Sequence, residues 1–185
     1  MPHENMLHQG RAALLIIDMQ EAFRTSISDF AETSARIALV AHAVTLLDVP
    51  VLVTEQYPKG LGHTAGEISA VLPATVQPIE KTSFSSVGAS EFVTKLEQTA
   101  RRQILVCGIE AHICVNQTTH DLLALGFQVH LLTDCITARQ ESNKSIAFAK
   151  MQASGALLST TEMALFELMR DSGHKQFRTI QKLIR

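Results

Sequence analysis

The chain has 185 residues, of which 46% are hydrophobic and 18% charged, and a formal net charge of −2. That length suits one domain, residues 1–185, with a substantial core, and the composition is that of a folded rather than a disordered chain. The absence of a basic block removes the electrostatic footprint expected of a nucleic-acid or anionic-membrane binder, so small molecules are the expected partners.

Residues 1–10, with His3, Glu4, Asn5, His8 and Gln9, lack the basic flank and apolar stretch of a signal peptide and read as a short N-terminal extension. No apolar run approaches the roughly 18 to 20 residues needed to span a bilayer, and a cytoplasmic protein is expected. Cys107, Cys114 and Cys135 form neither a disulfide framework nor the paired C-x2-C pattern of a structural zinc site, so reduced thiols are expected.

In chain order, the apolar run 12–19 predicts a buried strand with the carboxylate of Asp18 at its C-terminal end. A helical pattern covers 29–47 through Ile37, Val40, Val44 and Leu47, and 51–54 is a second strand. The turn-forming stretch 55–62 follows, then a short helix over 65–71. Residues 76–79 predict a third strand near a sheet edge, because Pro78 cannot donate to a ladder. A polar loop, 80–86, and a helix over 91–101 come next. The run 104–107 is a fourth buried strand, punctuated by Gly108 and followed by a helix from Ala111 to a stop at Gly126. A fifth strand at 128–133, a helix at 142–153, a sixth strand at 156–159 and a C-terminal helical segment over 163–169 and 177–184 complete the chain. Regular alternation of strands and helices predicts an α/β three-layer α-β-α sandwich with a doubly wound, six-stranded parallel sheet.

In such sheets ligands bind outside the carboxyl ends of the strands. Three strand ends there supply chemically different groups: Asp18 after the first, Lys81 after the third and Cys114 on the helix after the fourth. A helix N-terminus and a nearby lysine both favour thiolate over thiol, and a carboxylate can accept and return the thiol proton. Each residue taken singly also suits a structural role, as a cap, a solvated loop cation or a packing thiol.

Four segments together carry a family resemblance: Leu15-Ile-Ile-Asp18-Met-Gln20, Thr54-Glu-Gln-Tyr-Pro-Lys-Gly-Leu-Gly62, Glu80-Lys81-Thr-Ser-Phe84 and Val106-Cys-Gly-Ile-Glu-Ala-His-Ile-Cys114-Val115. With Leu131-Leu-Thr-Asp-Cys-Ile-Thr-Ala-Arg139 they span nearly the whole chain, in order. The chain resembles the isochorismatase-like cysteine hydrolase superfamily, which includes isochorismatases, nicotinamidases and N-carbamoylsarcosine amidohydrolases. The resemblance implies a catalytic triad of Asp18, Lys81 and Cys114, and a non-proline cis peptide between Ile109 and Glu110 that aims N–H groups near Ala111 and Cys114 at a developing oxyanion.

Nicotinamidases of this superfamily carry an Asp-x-His metal set after the second strand. Here Glu55-Gln56-Tyr57 stands in that place with His63 as the one nearby imidazole, so no catalytic metal and no cofactor are expected. The presence of Cys114 points to amide- or ureide-type C–N chemistry rather than vinyl-ether hydrolysis. Gln20, Phe23, Gln56, Tyr57 and Phe84 are the candidate substrate contacts, with a core role equally open for Phe23 and Phe84. The alternative is a ligand-binding or redox-sensing subunit that has kept the fold. Relatives in the superfamily assemble, and the apolar C-terminal segment here suits a homo-oligomer.

Overall fold

A computed structural model of the chain describes residues 3–185; Met1 and Pro2, the start of the expected N-terminal extension, lie outside the described residues. Six strands form one all-parallel sheet: β1 Ala12–Ile17, β2 Val51–Gln56, β3 Ile79–Lys81, β4 Gln103–Gly108, β5 Gln128–Ile136 and β6 Leu157–Ser159, in the spatial order β3-β2-β1-β4-β5-β6. The first half of the chain builds outward from β1 to β3, and the second half starts again on the other side of β1. The winding reverses between β1 and β4, and the open crevice of such a sheet lies there.

Every residue of β1 and β4 is buried, the physical origin of their unbroken apolar runs. Ala12, Leu14 and Ile16 of β1 face one helical layer with α1 (Phe30–Leu46), α3 (Gly66–Ser69), α7 (Thr161–Met169) and α8 (Phe177–Leu183). Ala13, Leu15 and Ile17 face the other, where Phe92 and Leu96 of α4 (Ser90–Gln98), Leu122 of α5 (Asn116–Ala124) and Met151 of α6 (Glu141–Ala153) pack. The one-turn helix α2 (Pro58–Leu61) lies in the segment after β2. Residues 6–8 of the N-terminal extension are stitched down: the Gln103 amide accepts from the His8 N–H at 2.8 Å and donates to the Met6 carbonyl at 3.0 Å.

Several boundaries differ from the sequence reading, and three of them have a clear physical origin or consequence. The third strand runs Ile79–Lys81 rather than 76–79, because Pro78 has no N–H for the ladder and pairing begins only after it, with Thr54 opposite Ile79 and Gln56 opposite Lys81. Lys81 therefore ends a strand and does not sit in the following loop. Helix α4 stops at Gln98 instead of 101, followed by Ala100 in the left-handed region at φ 54°. Strand β5 continues to Ile136, past a register shift opposite Val106 and Gly108, so Asp134 and Cys135 lie within it. There Asp134 accepts from the Thr161 N–H at the start of α7, and the Cys135 sulfur lies 3.1 Å from the Thr161 hydroxyl.

Candidate active site

Asp18 directly follows β1, in the left-handed region at φ 50°, where an aspartate is more readily tolerated than most side chains. Its buried carboxylate accepts from Thr54 Oγ1 through Oδ1 at 2.7 Å and from Lys81 Nζ through Oδ2 at 2.7 Å. Strand β2 separates the two strands whose ends bear this ion pair, and its own end fills the gap. Thr54 reaches Asp18, and Gln56, two residues on and thus on the same face, accepts from Lys81 at 2.8 Å. The Lys81 ammonium also donates to the carbonyls of Ser83 and Phe84, at 3.1 and 3.0 Å. Three N–H bonds are thus shared among four acceptors, so Lys81 is a fixed positive charge and not a spare donor. Each Asp18 oxygen keeps lone-pair capacity for a further proton.

Strand β4 ends at Gly108, with φ 114°. A Cβ there would lie 2.0 Å from the Ile17 carbonyl oxygen, so only glycine lets β4 approach the end of β1 this closely. The next residue, Ile109, donates its N–H to that same carbonyl at 2.9 Å. The Ile109–Glu110 peptide bond is cis. A π-helical turn, Ala111–Val115, then leads into α5, with the N–H groups of Ile113 and Val115 both donating to the Glu110 carbonyl. Such turns recur at functional sites.

Cys114 sits in this turn, 7% exposed. Its pKa is pushed up to about 12, chiefly by burial; the Asp18 carboxylate adds to the rise through its charge and as an acceptor for the thiol proton, while Lys81 works in the opposite direction. The resting group is a thiol, which corrects the expectation of an acidic cysteine at a helix N-terminus. Lys81 spends its charge on Asp18, and burial of the sulfur outweighs the remainder.

The N–H groups near the sulfur are also assigned differently. That of Ala111 donates to the Thr137 carbonyl at 2.9 Å and is unavailable to a substrate oxygen. The Glu110 N–H has no acceptor among the described residues, and the Cys114 N–H has none outside its own helix. The Glu110 carboxylate is held by Arg139, whose backbone N–H, Nε and Nη2 donate to it.

Of the remaining candidates, Gln20 is fully buried and its amide is committed to backbone: it donates to the carbonyls of Gln56 and Gly62 and accepts from the Gln56 N–H. It braces the end of β1 against the loop after β2 and has no free polar atom directed at a ligand. Phe23 packs against the α1-side core. Tyr57 and Phe84 are 55% and 54% exposed. Tyr57, with Pro58, Lys59, Glu80, Lys81 and Thr82, lines a cleft of about 370 Å³ beside the ion pair, whose lining includes neither Cys114 nor Phe84. A larger cleft of about 640 Å³ lies at the opposite ends of β2 and β3, around Val51 and Val76, away from all three candidate groups. Among the described residues no three His, Cys, Asp or Glu side chains converge as a metal set. Glu55 instead binds Thr64 through its N–H and hydroxyl, and His63 at 3.0 Å. His120 is fixed between the Asn116 carbonyl and Ser154.

Two features escaped the sequence reading. Thr54 is a polar residue near the end of an apolar run, the signal that singled out Asp18, and the same logic applies to it. The Glu110–Arg139 pair, 29 residues apart, left no local signal.

A parallel sheet wound both ways from β1, with a carboxylate, an ammonium and a thiol at or just beyond the C-terminal ends of its strands, defines an α/β three-layer protein. The profile of the isochorismatase domain matches residues 12–163, and the chain belongs to the isochorismatase family. It is 43% identical to isochorismatase domain-containing protein 2 of Macaca fascicularis over 177 residues, covering 95% of this chain and 84% of that protein. Among solved structures it is similar to the MAR1 ribonuclease of Caenorhabditis elegans, with TM-score 0.92 and 36% identity over 97% of this chain and 92% of that one. The fold is shared with the YcaC gene product of Escherichia coli, an octameric hydrolase of unknown specificity, at TM-score 0.86 and 21% identity over 98% and 97% of the two chains. Among the described residues no helix is long and apolar enough to cross a membrane.

Proposed function

We propose that this chain, as one hydrolase domain, is a cysteine hydrolase that opens a small amide- or ureide-type C–N bond without a metal. The observation that carries the reading is the buried 2.7 Å Lys81–Asp18 ion pair acting on the Cys114 thiol. Asp18 takes the thiol proton as sulfur attacks the carbonyl carbon, and the carbonyl π pair moves to oxygen. The N–H groups of Glu110 and Cys114 receive that oxyanion, in place of Ala111. Lys81 places positive charge beside the forming thiolate. Asp18 then protonates the leaving nitrogen, the C–N bond breaks, and a thioester remains. Water, deprotonated by Asp18, attacks the thioester, and collapse of that adduct returns the thiol and a carboxylic product. Tyr57 and Phe84, exposed on the loops around Lys81, suit the mouth of a pocket for a small substrate.

The test is a panel of amides and ureides with ammonia release as readout. Turnover by the unmodified protein should fall about a thousandfold or more in both Cys114→Ser and Asp18→Asn, the usual scale for removing a nucleophile or its base. Silence across the panel, with oxidation-dependent partner binding, would favour the sensor alternative. The name of the nematode relative brings in a second reading, ribonuclease activity. RNA belongs in the same panel, and cleavage undiminished by Cys114→Ser would favour it. A net charge of −2 and a thiol only 7% exposed argue for a small uncharged substrate instead.

The same reading makes the chain a subunit of a homo-oligomer. Strand β6 is a sheet edge, and Leu158 on it and Met163 and Phe166 on the adjoining α7 are exposed apolar side chains. Gel filtration should give a multiple of the 20.3 kDa chain mass, and elution as a monomer would refute this.

A further inference from the structure

Glu110 is unusual in how completely it is held. Its carbonyl accepts from the N–H groups of Ile113 and Val115. Its carboxylate, on a residue 5% exposed, accepts from the Arg139 N–H at 3.1 Å, Nε at 2.8 Å and Nη2 at 3.1 Å. Burial works to raise the Glu110 pKa, and the Arg139 bonds outweigh it, so the carboxyl lies below its ordinary range. The backbone N–H is the one polar group of Glu110 left without a partner among the described residues.

Arg139 belongs to a strap that runs along this turn from the end of β5. Thr137 donates its N–H to the Gly108 carbonyl at 3.3 Å and accepts from the Ala111 N–H at 2.9 Å. The Thr137 hydroxyl is anchored in turn on both oxygens of Asp29, at 2.7 and 2.8 Å. Residues 108–111 are therefore gripped on both sides of Glu110, while Arg139 grips Glu110 itself. The Arg139 side chain is 52% exposed, so its substitution removes the two guanidinium bonds without opening the core and leaves only the backbone N–H on Glu110.

We propose that Arg139 is a positioning residue: its three-point hold on Glu110 aims the Glu110 N–H at the oxygen of a tetrahedral adduct on Cys114. This rests on the cysteine-hydrolase reading and adds to it a residue that touches neither the sulfur nor the reacting carbon.

The experiment compares two reactions of the same thiol in the full-length protein. Propionaldehyde adds reversibly: the S–C bond forms, the carbonyl π pair moves to oxygen, and the thiol proton passes by way of Asp18 to that oxygen. That oxygen is charged until the proton arrives and as a hydroxyl still accepts from the same N–H groups, so the addition and the stability of the adduct both draw on the oxyanion donors. Iodoacetamide alkylates sulfur by displacing iodide and develops no oxyanion. In Arg139→Gln the propionaldehyde Kd, read from how far the aldehyde protects Cys114 against iodoacetamide, should rise about tenfold, a fraction of the loss on deleting a donor outright. The iodoacetamide rate should stay within about threefold, because that transition state does not use the donors. The double variant Glu110→Gln, Arg139→Gln leaves no unpaired buried carboxylate and guards against misfolding; it should show the same split. Aldehyde affinity equal to the unmodified protein in both variants, or an equal loss in both reactions, would overturn the positioning role alone. Failure of the unmodified protein to add aldehyde at Cys114 would instead overturn the cysteine-hydrolase reading and the proposal with it.

Discussion

Lys81→Met should lower stability by about 3 to 5 kcal/mol, the usual consequence of breaking a buried ion pair by deleting one partner. Methionine nearly matches the lysine stem in length, so packing is kept while the charge is lost. Asp18 would then be left in a buried site with the Thr54 hydroxyl as its sole side-chain donor among the described residues, and Gln56 Oε1 and the carbonyls of Ser83 and Phe84 would lose the same ammonium. For a domain whose whole stability is on the order of 5 to 15 kcal/mol, that is a large fraction. Urea unfolding is the measurement. The control is Lys81→Met combined with Asp18→Asn, which leaves the same three acceptors unpaired, keeps an acceptor for Thr54 and a side chain tolerated at φ 50°, and removes the stranded charge. The double variant should be more stable than the single one, since it no longer holds a carboxylate buried without its cation. A double variant no more stable than the single would show that the charge pair is not what Lys81 holds together.

Alkylation of Cys114 by iodoacetamide at pH 7 should be about 30 to 60 times slower than that of an ordinary cysteine. A rise in pKa from 9.0 to about 12 cuts the thiolate fraction about a thousandfold. The more basic sulfur is intrinsically more nucleophilic, and a Brønsted slope of about 0.4 to 0.5 over three units restores about 15- to 30-fold. The sign follows from the direction of the shift: the rate should keep climbing tenfold per pH unit above pH 9, where an ordinary thiol levels off. A plateau near pH 7 would mean a preformed thiolate and would remove the need for Asp18 as proton acceptor. Slow alkylation is compatible with catalysis, because Asp18 takes the proton only as sulfur attacks.

The layered α/β architecture was legible because strands buried on both faces read as unbroken apolar runs, as 12–17 and 104–107 do. Errors clustered where tertiary pairing overrides local pattern: β3 begins after Pro78, and β5 continues through Asp134 and Cys135. Asp18, Lys81 and Cys114 stood out because strand ends and quoted motifs coincide, and the fold brings them together. Gln20 stood beside them in the motif and serves as a brace instead, since its partners, Gln56 and Gly62, lie 36 and 42 residues away.

By itself, the sequence determined the alternation of strands and helices, the family, and the residue types that the switch point would receive. Tertiary structure alone decided that β2 inserts Thr54 and Gln56 between Asp18 and Lys81, that the Ala111 N–H is spent on Thr137, and that Cys114 rests as a thiol. The reason is physical: desolvation and hydrogen-bond partnership depend on which distant segments close around a group, and no local spacing in the chain records that.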